Sequence, residues 1–193
     1  MAEITVIYDA NILYSAALRD LFMWLALSRI FKARWSEEIH LEWMRNVLKN
    51  RSDLTLEQLT RTKHLMNANV ENCLVTGYQE IIAQLELPDA GDRHVLAAAI
   101  VAGADFIITF NLQDFPSQNL ARYGIKALHP DDFILFLFEL KPKAVCQAAE
   151  RQRQTLKNPP KTIDEYLKTL EDRGLPQSAA LMRQLCYQDF VNC

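Results

Sequence analysis

The sequence lacks the patterns that mark several common protein classes. No C-x-x-C pair occurs among its four cysteines, so a zinc site is not expected, and we predict that the cysteines are reduced thiols. No G-x-G-x-x-G motif follows the first strand-like segment, which disfavours a dinucleotide-binding fold. The apolar stretch 21–31 is too short to span a membrane. Because a strand-like segment begins near residue 4, no room is left for an export signal, and we predict a cytoplasmic protein.

An excess of positive charge is missing as well. The 193 residues carry a net charge of −3, whereas proteins that coat nucleic acid are usually basic. Any chemistry on phosphates must therefore come from a local site. The hydrophobic content of 50% is enough for one full core with a helical addition.

Strand-like and helix-like segments alternate from residue 4 to about residue 140. Strands are predicted at 4–8, 73–76, 106–110 and 125–128, and helices at 11–31, 37–49, 55–72, 92–102 and 129–140. This alternation predicts an α/β domain over residues 1–140, with a central parallel sheet flanked by helices. Residues 141–193 hold few β-branched residues and are predicted to form a C-terminal helical extension.

Four acidic residues stand where an α/β fold would gather them. Asp9 and Asp114 follow strand-like segments, and Glu42 and Asp92 lie on helix-like ones. Ligands bind beyond the carboxyl ends of parallel strands, which is where we expect these side chains. Crowded carboxylates repel one another unless a cation joins them, and Mg²⁺ prefers oxygen ligands. The pattern therefore predicts a metal-dependent phosphodiesterase, in which two ions clamp the attacking and leaving oxygens.

Each of these residues also has a structural interpretation. Asp9 and Asp92 stand where helix caps are expected, and a carboxylate in a first helical turn interacts favourably with the helix dipole. An isolated helical Glu such as Glu42 is most often solvated. His40 and His94 flank acidic positions, but neither has a second His at ligand spacing, so we predict that both are structural.

Four segments together resemble a PIN domain. They are residues 6–13, 36–48, 88–99 and 103–116. Their order and spacing fit that family from residue 4 to about residue 138. The resemblance implies a PIN-like three-layer fold and a Mg²⁺- or Mn²⁺-dependent endoribonuclease of the VapC toxin class. It maps the invariant acids of the family onto Asp9, Glu42 and Asp92, as catalytic and metal-binding residues.

One block departs from the family pattern. Many PIN domains carry Thr-Gly-Asp after the later strand, whereas this chain reads Thr109-Phe110-Asn111, so an amide replaces the acid. Asp114 is the predicted substitute ligand, directly or through water, and its structural alternative is a turn residue. Asn11 and Asn111 are predicted to lie beside the metal ligands. With only three matching acids, the second metal site should be weaker or should fill only when substrate binds.

The resemblance also implies partners. They are an RNA substrate and a VapB-like antitoxin protein. The chain is expected to form a homodimer or a toxin–antitoxin hetero-oligomer, and no membrane is expected among its partners. On the first long helix, Phe22, Met23 and Trp24 are predicted to form an exposed aromatic anchor for another chain. The basic residues of the extension are predicted to form a solvated face or, alternatively, to contact RNA.

Two other functions remain open at this point. A PIN-like module that has lost turnover through Asn111 would hold RNA or a protein partner, and metal-dependent cleavage would separate it from the enzyme. A phospho-accepting receiver domain would need an acidic pair after the first strand and a Lys after a late one. The chain has neither, since Asp9 stands without an acidic neighbour and Asn111 occupies the late loop.

Overall fold

The structure is a computed structural model that describes residues 4–186 of the chain. These residues form two compact units. One contains residues 4–14 and 31–129, and the other contains residues 15–30 and 130–186. The strands of the described residues all lie in the first unit.

A five-stranded parallel sheet forms the centre of the first unit. In chain order the strands are β1 Thr5–Tyr8, β2 Lys32–Ser36, β3 Leu74–Val75, β4 Phe106–Ile108 and β5 Lys126–Leu128. Their order across the sheet is β3-β2-β1-β4-β5, and every neighbouring pair is parallel. β1 lies in the middle and is buried along its whole length, which suits its β-branched and aromatic residues. The predicted α/β fold with a central parallel sheet is confirmed.

Helices make up most of the remaining structure. In chain order they are α1 Ala10–Tyr14, α2 Ala16–Leu27, α3 Glu37–Asn50, α4 Leu56–Asn69, α5 Gln79–Ile82, α6 Arg93–Ala102, α7 Ser117–Leu120, α8 Pro130–Leu140, α9 Pro142–Thr155, α10 Ile163–Asp172 and α11 Pro176–Leu185. The central helix of the first unit is α6, which contacts β1, β2 and β4. Its buried alanines, residues 97–99, let this helix approach the sheet closely.

Local signals set several helix ends as predicted. The Ser36 hydroxyl accepts a hydrogen bond from the Ile39 amide at 3.2 Å and caps α3. Thr55 and Gln58 form a capping box at the start of α4. Gly103 ends α6 with a left-handed φ of 59°, a conformation that disfavours any side chain.

The segment predicted as one helix over residues 11–31 differs from the prediction. Ser15 has an extended backbone (φ −77°, ψ 122°) and separates α1 from α2. The strand β2, which follows, was not predicted. It pairs with β1 from Thr5 opposite Lys32 onward, and buries Ala33 and Trp35 while Lys32 stays exposed. Pairing with β1 therefore decides the state of this short polar segment, which carries little strand signal of its own.

The second unit consists of α2 and α8 to α11. Phe22 of α2 stacks on Phe133 of α8, with ring centroids 6.4 Å apart. The prediction of an exposed Phe22 is wrong, because the ring is completely buried, while Met23 and Trp24 are partly exposed. The buried carboxylate of Asp131 on α8 accepts hydrogen bonds from the first amides of α11, at 3.0 and 2.8 Å, and so caps that helix.

Two cysteines of the second unit are joined. Cys146 on α9 and Cys186 after α11 form a disulfide, with their Cα atoms 5.0 Å apart. The prediction that these cysteines are reduced thiols is wrong in this structure. Packing of α9 near the end of α11 brings together two residues that are 40 positions apart, and no spacing rule signals such a pair. Cys73 is a buried free thiol, and Cys193 lies outside the described residues.

The domain boundary near residue 140 stays a prediction. By packing, α8 and residues 15–30 belong to the second unit, whereas the sequence pattern placed them in the nuclease domain. The Phe- and Leu-rich helix α8 contacts α9 and α11, so these two helices cover it. No helix within residues 4–186 has the length and apolar content needed to cross a membrane.

Candidate functional site

The sheet has a topological switch point at its centre. The chain leaves β1 toward β2 on one side, and β4 pairs with β1 on the other side. In open parallel sheets, ligands bind in the crevice at the carboxyl ends of such strands. Asp9 directly follows β1 and Thr109 directly follows β4, and the Asp9 amide donates a hydrogen bond to the Ile108 carbonyl at 3.1 Å. Both residues therefore stand at this crevice.

A hydrogen-bond network holds the carboxylate of Asp9. Its Oδ2 accepts from Nδ2 of Asn11 at 2.6 Å and from the Thr109 hydroxyl at 2.7 Å. Its Oδ1 accepts from the Ala10 amide at 2.6 Å. Asn11 also donates to Thr109 Oγ1 at 2.9 Å and accepts from the Phe110 amide at 3.3 Å. The network fixes one orientation of Asp9 and ties the first strand to the loop after β4.

Burial dominates the electrostatics of Asp9. The residue is only 4% exposed, and burial raises the pKa of its carboxyl to about 6, assisted by the nearby charge of Glu42. The hydrogen bond from Thr109 opposes that shift, because it stabilises the ionised form. Asp9 is thus more than a helix cap, since its charge interacts with an acidic residue of another element.

Asp92 lies at the junction between a 3₁₀ turn, Ala90–Asp92, and α6. The preceding acid, Asp89, caps the turn by accepting from the Gly91 amide at 2.7 Å. The side chain of Asp92 makes no capping hydrogen bond. Burial raises the pKa of Asp92 to about 7, followed in importance by the charges of the surrounding acids Asp9, Asp89, Asp114 and Glu42. The helix-cap interpretation of Asp92 therefore has no support in the geometry.

Asn111 and Asp114 lie in the loop after β4. Asp114 ends a short 3₁₀ turn, Leu112–Asp114, and its charge contributes to the raised pKa of Asp92. Asn111 is exposed, and its backbone amide donates a hydrogen bond to Thr109 Oγ1 at 3.0 Å. The charge of Asp114 therefore influences the predicted ligand Asp92, whereas Asn111 contacts Thr109 through its backbone.

Glu42 meets a histidine of α6. Nε2 of His94 lies 3.1 Å from Glu42 Oε2, and its Nδ1 lies 3.8 Å from Glu38 Oε2. Nδ1 is buried and has no hydrogen-bond partner within residues 4–186. His94 was predicted to be structural, yet its imidazole contacts one of the predicted ligands. The signal available in the sequence was its position two residues after Asp92.

His40 is a structural residue, as predicted. It is fully buried, its Nδ1 accepts from the indole of Trp43 at 3.0 Å, and its Nε2 lies 2.9 Å from the Asn67 side-chain oxygen. Both ring nitrogens are therefore used by the core, and burial lowers the pKa of His40.

The donor set fits a hard divalent cation by its chemistry. The predicted ligands offer carboxylate oxygens only, which Mg²⁺ and Mn²⁺ prefer, and the charge of Glu42 contributes to the raised pKa values of both Asp9 and Asp92. Over residues 4–186, no group of three or more Asp, Glu, His or Cys side chains has the spacing of a metal site. The fit therefore rests on donor type and charge and not on preformed ligand spacing.

Thr109 is a site residue that was not predicted. In the segment Thr109-Phe110-Asn111, which differs from the family pattern, only Asn111 was predicted to be a site residue. The hydroxyl of Thr109 joins Asp9, Asn11 and the Asn111 amide, and the residue is completely buried. A polar residue at the carboxyl end of a strand beside the switch point was the signal that could have identified it.

Comparison with known proteins identifies two regions of the chain. Residues 5–113 match the family described as PIN domain, and residues 130–184 match the family described as VapC50 C-terminal domain. The first match covers more than half of the chain and contains Asp9, Glu42 and Asp92.

A similar protein carries the same family designation. The chain is 40% identical over 109 residues to the protein named "Putative ribonuclease VapC50" of Mycobacterium tuberculosis (strain ATCC 25618 / H37Rv). These residues are 56% of this chain and 63% of that protein, so the match spans less than two thirds of the relative. No solved structure matches the chain significantly. The chain therefore belongs to the PIN domain family.

Proposed function

We propose that this protein is a Mg²⁺- or Mn²⁺-dependent endoribonuclease and the toxin of a type II toxin–antitoxin pair. The observation that carries the proposal is the placement of Asp9 at the switch point of the sheet, with the pKa values of Asp9 and Asp92 raised by burial and by neighbouring acids that include Glu42. Carboxyl groups with perturbed pKa values cluster at functional sites. Similarity to a protein named as a ribonuclease supports RNA as the substrate.

The proposed ligands are Asp9, Glu42 and Asp92, with Asp114 as a further ligand directly or through water. A bound Mg²⁺ or Mn²⁺ would supply positive charge to the scissile phosphate and lower the pKa of the attacking water. Positive charge from an ion is needed because the chain itself is acidic, with a net charge of −3. No protein nucleophile is required for this chemistry.

Neighbouring residues orient the proposed ligands. Asn11 and Thr109 hold Asp9 Oδ2 through two short hydrogen bonds, so the carboxylate keeps one rotamer. His94 contacts Glu42 and restrains that side chain in the same manner. Contacts that orient a ligand side chain in this way raise metal affinity.

The toxin assignment brings partners and a compartment with it. We propose a VapB-like antitoxin as the protein partner, in a hetero-oligomer or with a homodimer of this chain, and a cytoplasmic location. The VapC-type similarity supports the pairing. Coexpression with a short reading frame of antitoxin size found beside the gene, followed by co-purification, would test it, and a chain that stays monomeric under those conditions would contradict it.

A cleavage assay tests the enzyme. Single-stranded RNA is incubated with the full chain in Mn²⁺ or in EDTA, and with the variant Asp9→Asn. We expect cleavage only in Mn²⁺ and only with the unmodified site. Asp53→Asn is the matched control, because Asp53 is an exposed acid paired with Arg51 outside the proposed ligand set. Equal cleavage by Asp9→Asn and the control would refute the proposed site.

The amide at Asn111 favours a second candidate, a PIN-like module that binds RNA or a protein without turnover. Asn111 replaces a family acid and is exposed beside the site. If the wild type fails to cleave RNA in Mn²⁺ while Asn111→Asp cleaves it, the binding module is the correct function. Cleavage by the wild type excludes that candidate.

A further inference from the structure

A groove in the second unit brings an aromatic ring together with two cations. It has a volume of about 580 Å³ and is lined by Trp24 of α2 and by Arg151, Gln154, Thr155 and Lys157 from α9 and the residues after it. Trp24 is partly exposed, and Arg151 and Lys157 are exposed. The ring and the positive side chains are therefore accessible from the same space.

Buried polar contacts hold the walls of this groove in place. Gln152 is 1% exposed; its Nε2 donates to the Ala17 carbonyl of α2 at 2.7 Å, and its Oε1 accepts from the Tyr166 hydroxyl at 2.8 Å. These bonds fix α9 against α2 and α10. Because Gln152 follows Arg151 directly, they also fix the position of Arg151 relative to the ring of Trp24.

The groove carries net positive charge. Within residues 4–186, neither Arg151 nor Lys157 has an acidic partner within ion-pair distance. The acid of the same helix, Glu150, is neutralised by two hydrogen bonds from Arg153, at 2.8 and 2.7 Å. Gln154 donates to Glu150 and keeps its own side-chain oxygen as an acceptor. An anion thus meets two uncompensated cations beside hydrogen-bonding groups.

We infer that this groove binds single-stranded RNA, with a base stacked on Trp24 and phosphates on Arg151 and Lys157. Stacking on an aromatic ring combined with a positive backbone track is the usual chemistry for unpaired nucleic acid. An acidic peptide would satisfy the cations but leave the ring without a π-partner. The inference rests on the proposed ribonuclease function and adds a substrate-binding subsite that hydrolysis itself does not require.

Tryptophan fluorescence can test this subsite specifically. The chain has three tryptophans, and Trp35 and Trp43 are completely buried, so stacking of a base should quench Trp24 alone. The probe is a 12-residue oligouridylate, titrated in EDTA to prevent hydrolysis. We expect saturable quenching that is lost in Trp24→Phe, with both proteins showing the same thermal melt and circular dichroism.

Charge variants test the phosphate contacts. Measured by anisotropy of a labelled oligouridylate, Arg151→Ala with Lys157→Ala should weaken binding at least about tenfold. It should also reduce the slope of log affinity against log salt by about 1.4, which is two contacts on a single strand. Lys168→Ala with Arg173→Ala is the matched control, because it removes two exposed positive charges outside the groove.

The outcomes separate the subsite from the catalytic proposal. Unchanged affinity in the groove variant, persistent quenching in Trp24→Phe, or equal quenching by oligoglutamate would overturn RNA binding in the groove. RNA cleavage in Mn²⁺ without quenching would overturn the groove alone and leave the ribonuclease proposal standing. Quenching without cleavage would support the groove and refute the proposed hydrolysis.

Discussion

Replacing Asp92 with Asn separates carboxylate repulsion from helix capping. The substitution keeps the size and shape of the side chain and removes its charge. Asp92 makes no capping hydrogen bond, and Asn caps about as well as Asp. Any change in capping should therefore lower the free energy of unfolding by at most a few tenths of a kcal/mol. Any larger change therefore reports on the charge.

The charge of Asp92 should destabilise the folded protein at high pH. Its pKa is raised from 3.8 to about 7 by burial and by the surrounding acids, so the folded state favours the protonated form. The stabilisation of the folded state by protonated Asp92 is fully present below pH 3.8 and is lost as the pH rises through about 7. Each tenfold change in proton affinity is worth ~1.4 kcal/mol. Because the side chain of Asp92 is partly exposed, solvent screening reduces the total destabilisation by its charge to about 1–2 kcal/mol.

Urea unfolding in EDTA at pH 5 and pH 8 measures this effect. At pH 8 we expect Asp92→Asn to be about 1–2 kcal/mol more stable than the wild type, with a difference less than half as large at pH 5. Saturating Mn²⁺ at about 100 times its Kd should stabilise the wild type by ~2.7 kcal/mol and should stabilise the variant far less. Cleavage of single-stranded RNA by Asp92→Asn should fall to background.

A matched variant and clear negative results complete the test. Asp89→Asn removes a neighbouring charge but keeps the capping geometry of the 3₁₀ turn, so it should retain the Mn²⁺ response and cleavage. If Asp92→Asn is no more stable than the wild type at pH 8, the acids do not repel one another. If its Mn²⁺ shift and its cleavage equal those of the wild type, Asp92 is not part of the site.

Three further outcomes follow from particular contacts. Thr109→Val keeps the shape of the side chain but removes the hydroxyl that joins Asp9 to its neighbours, so it should lower the free energy of unfolding in urea by about 1–3 kcal/mol and reduce cleavage. Thr109→Ser should retain both the stability and the cleavage. Equal behaviour of the two variants would contradict the positioning role of Thr109. A truncation after Leu140 should be insoluble because it uncovers α2 and α8, and a cooperative melt of that fragment would refute this. Dithiothreitol should lower the stability by up to about 4 kcal/mol by opening the Cys146–Cys186 bridge, and an unchanged melting temperature would argue against that bridge.

Prediction from the sequence succeeded where the physical signal is local. The helix predicted from residue 55 begins at the capping box of Thr55, because side chain and backbone amides meet there within one turn. Gly103 ended α6 for a similar local reason. β1 was evident from its β-branched and aromatic run, and the position of that run was enough to place Asp9 at the edge of the sheet.

Prediction failed where distant residues decide the outcome. β2 is short and polar and exists because it pairs with β1 on one side and β3 on the other. The disulfide depends on how α9 and α11 pack, which no local pattern records. Phe22 looked exposed from the pattern of α2 alone, and Phe133 packs against it.

The candidate site divides in the same way. The residue types and the order of Asp9, Glu42 and Asp92 along the chain are properties of the sequence, and they suffice to suggest carboxylate chemistry. Only the tertiary structure shows that Asp92 makes no capping hydrogen bond, or that Thr109 holds Asp9 across 100 residues. The charge and donor type of a side chain are intrinsic, whereas its proton affinity depends on burial and on neighbours that only the folded chain supplies.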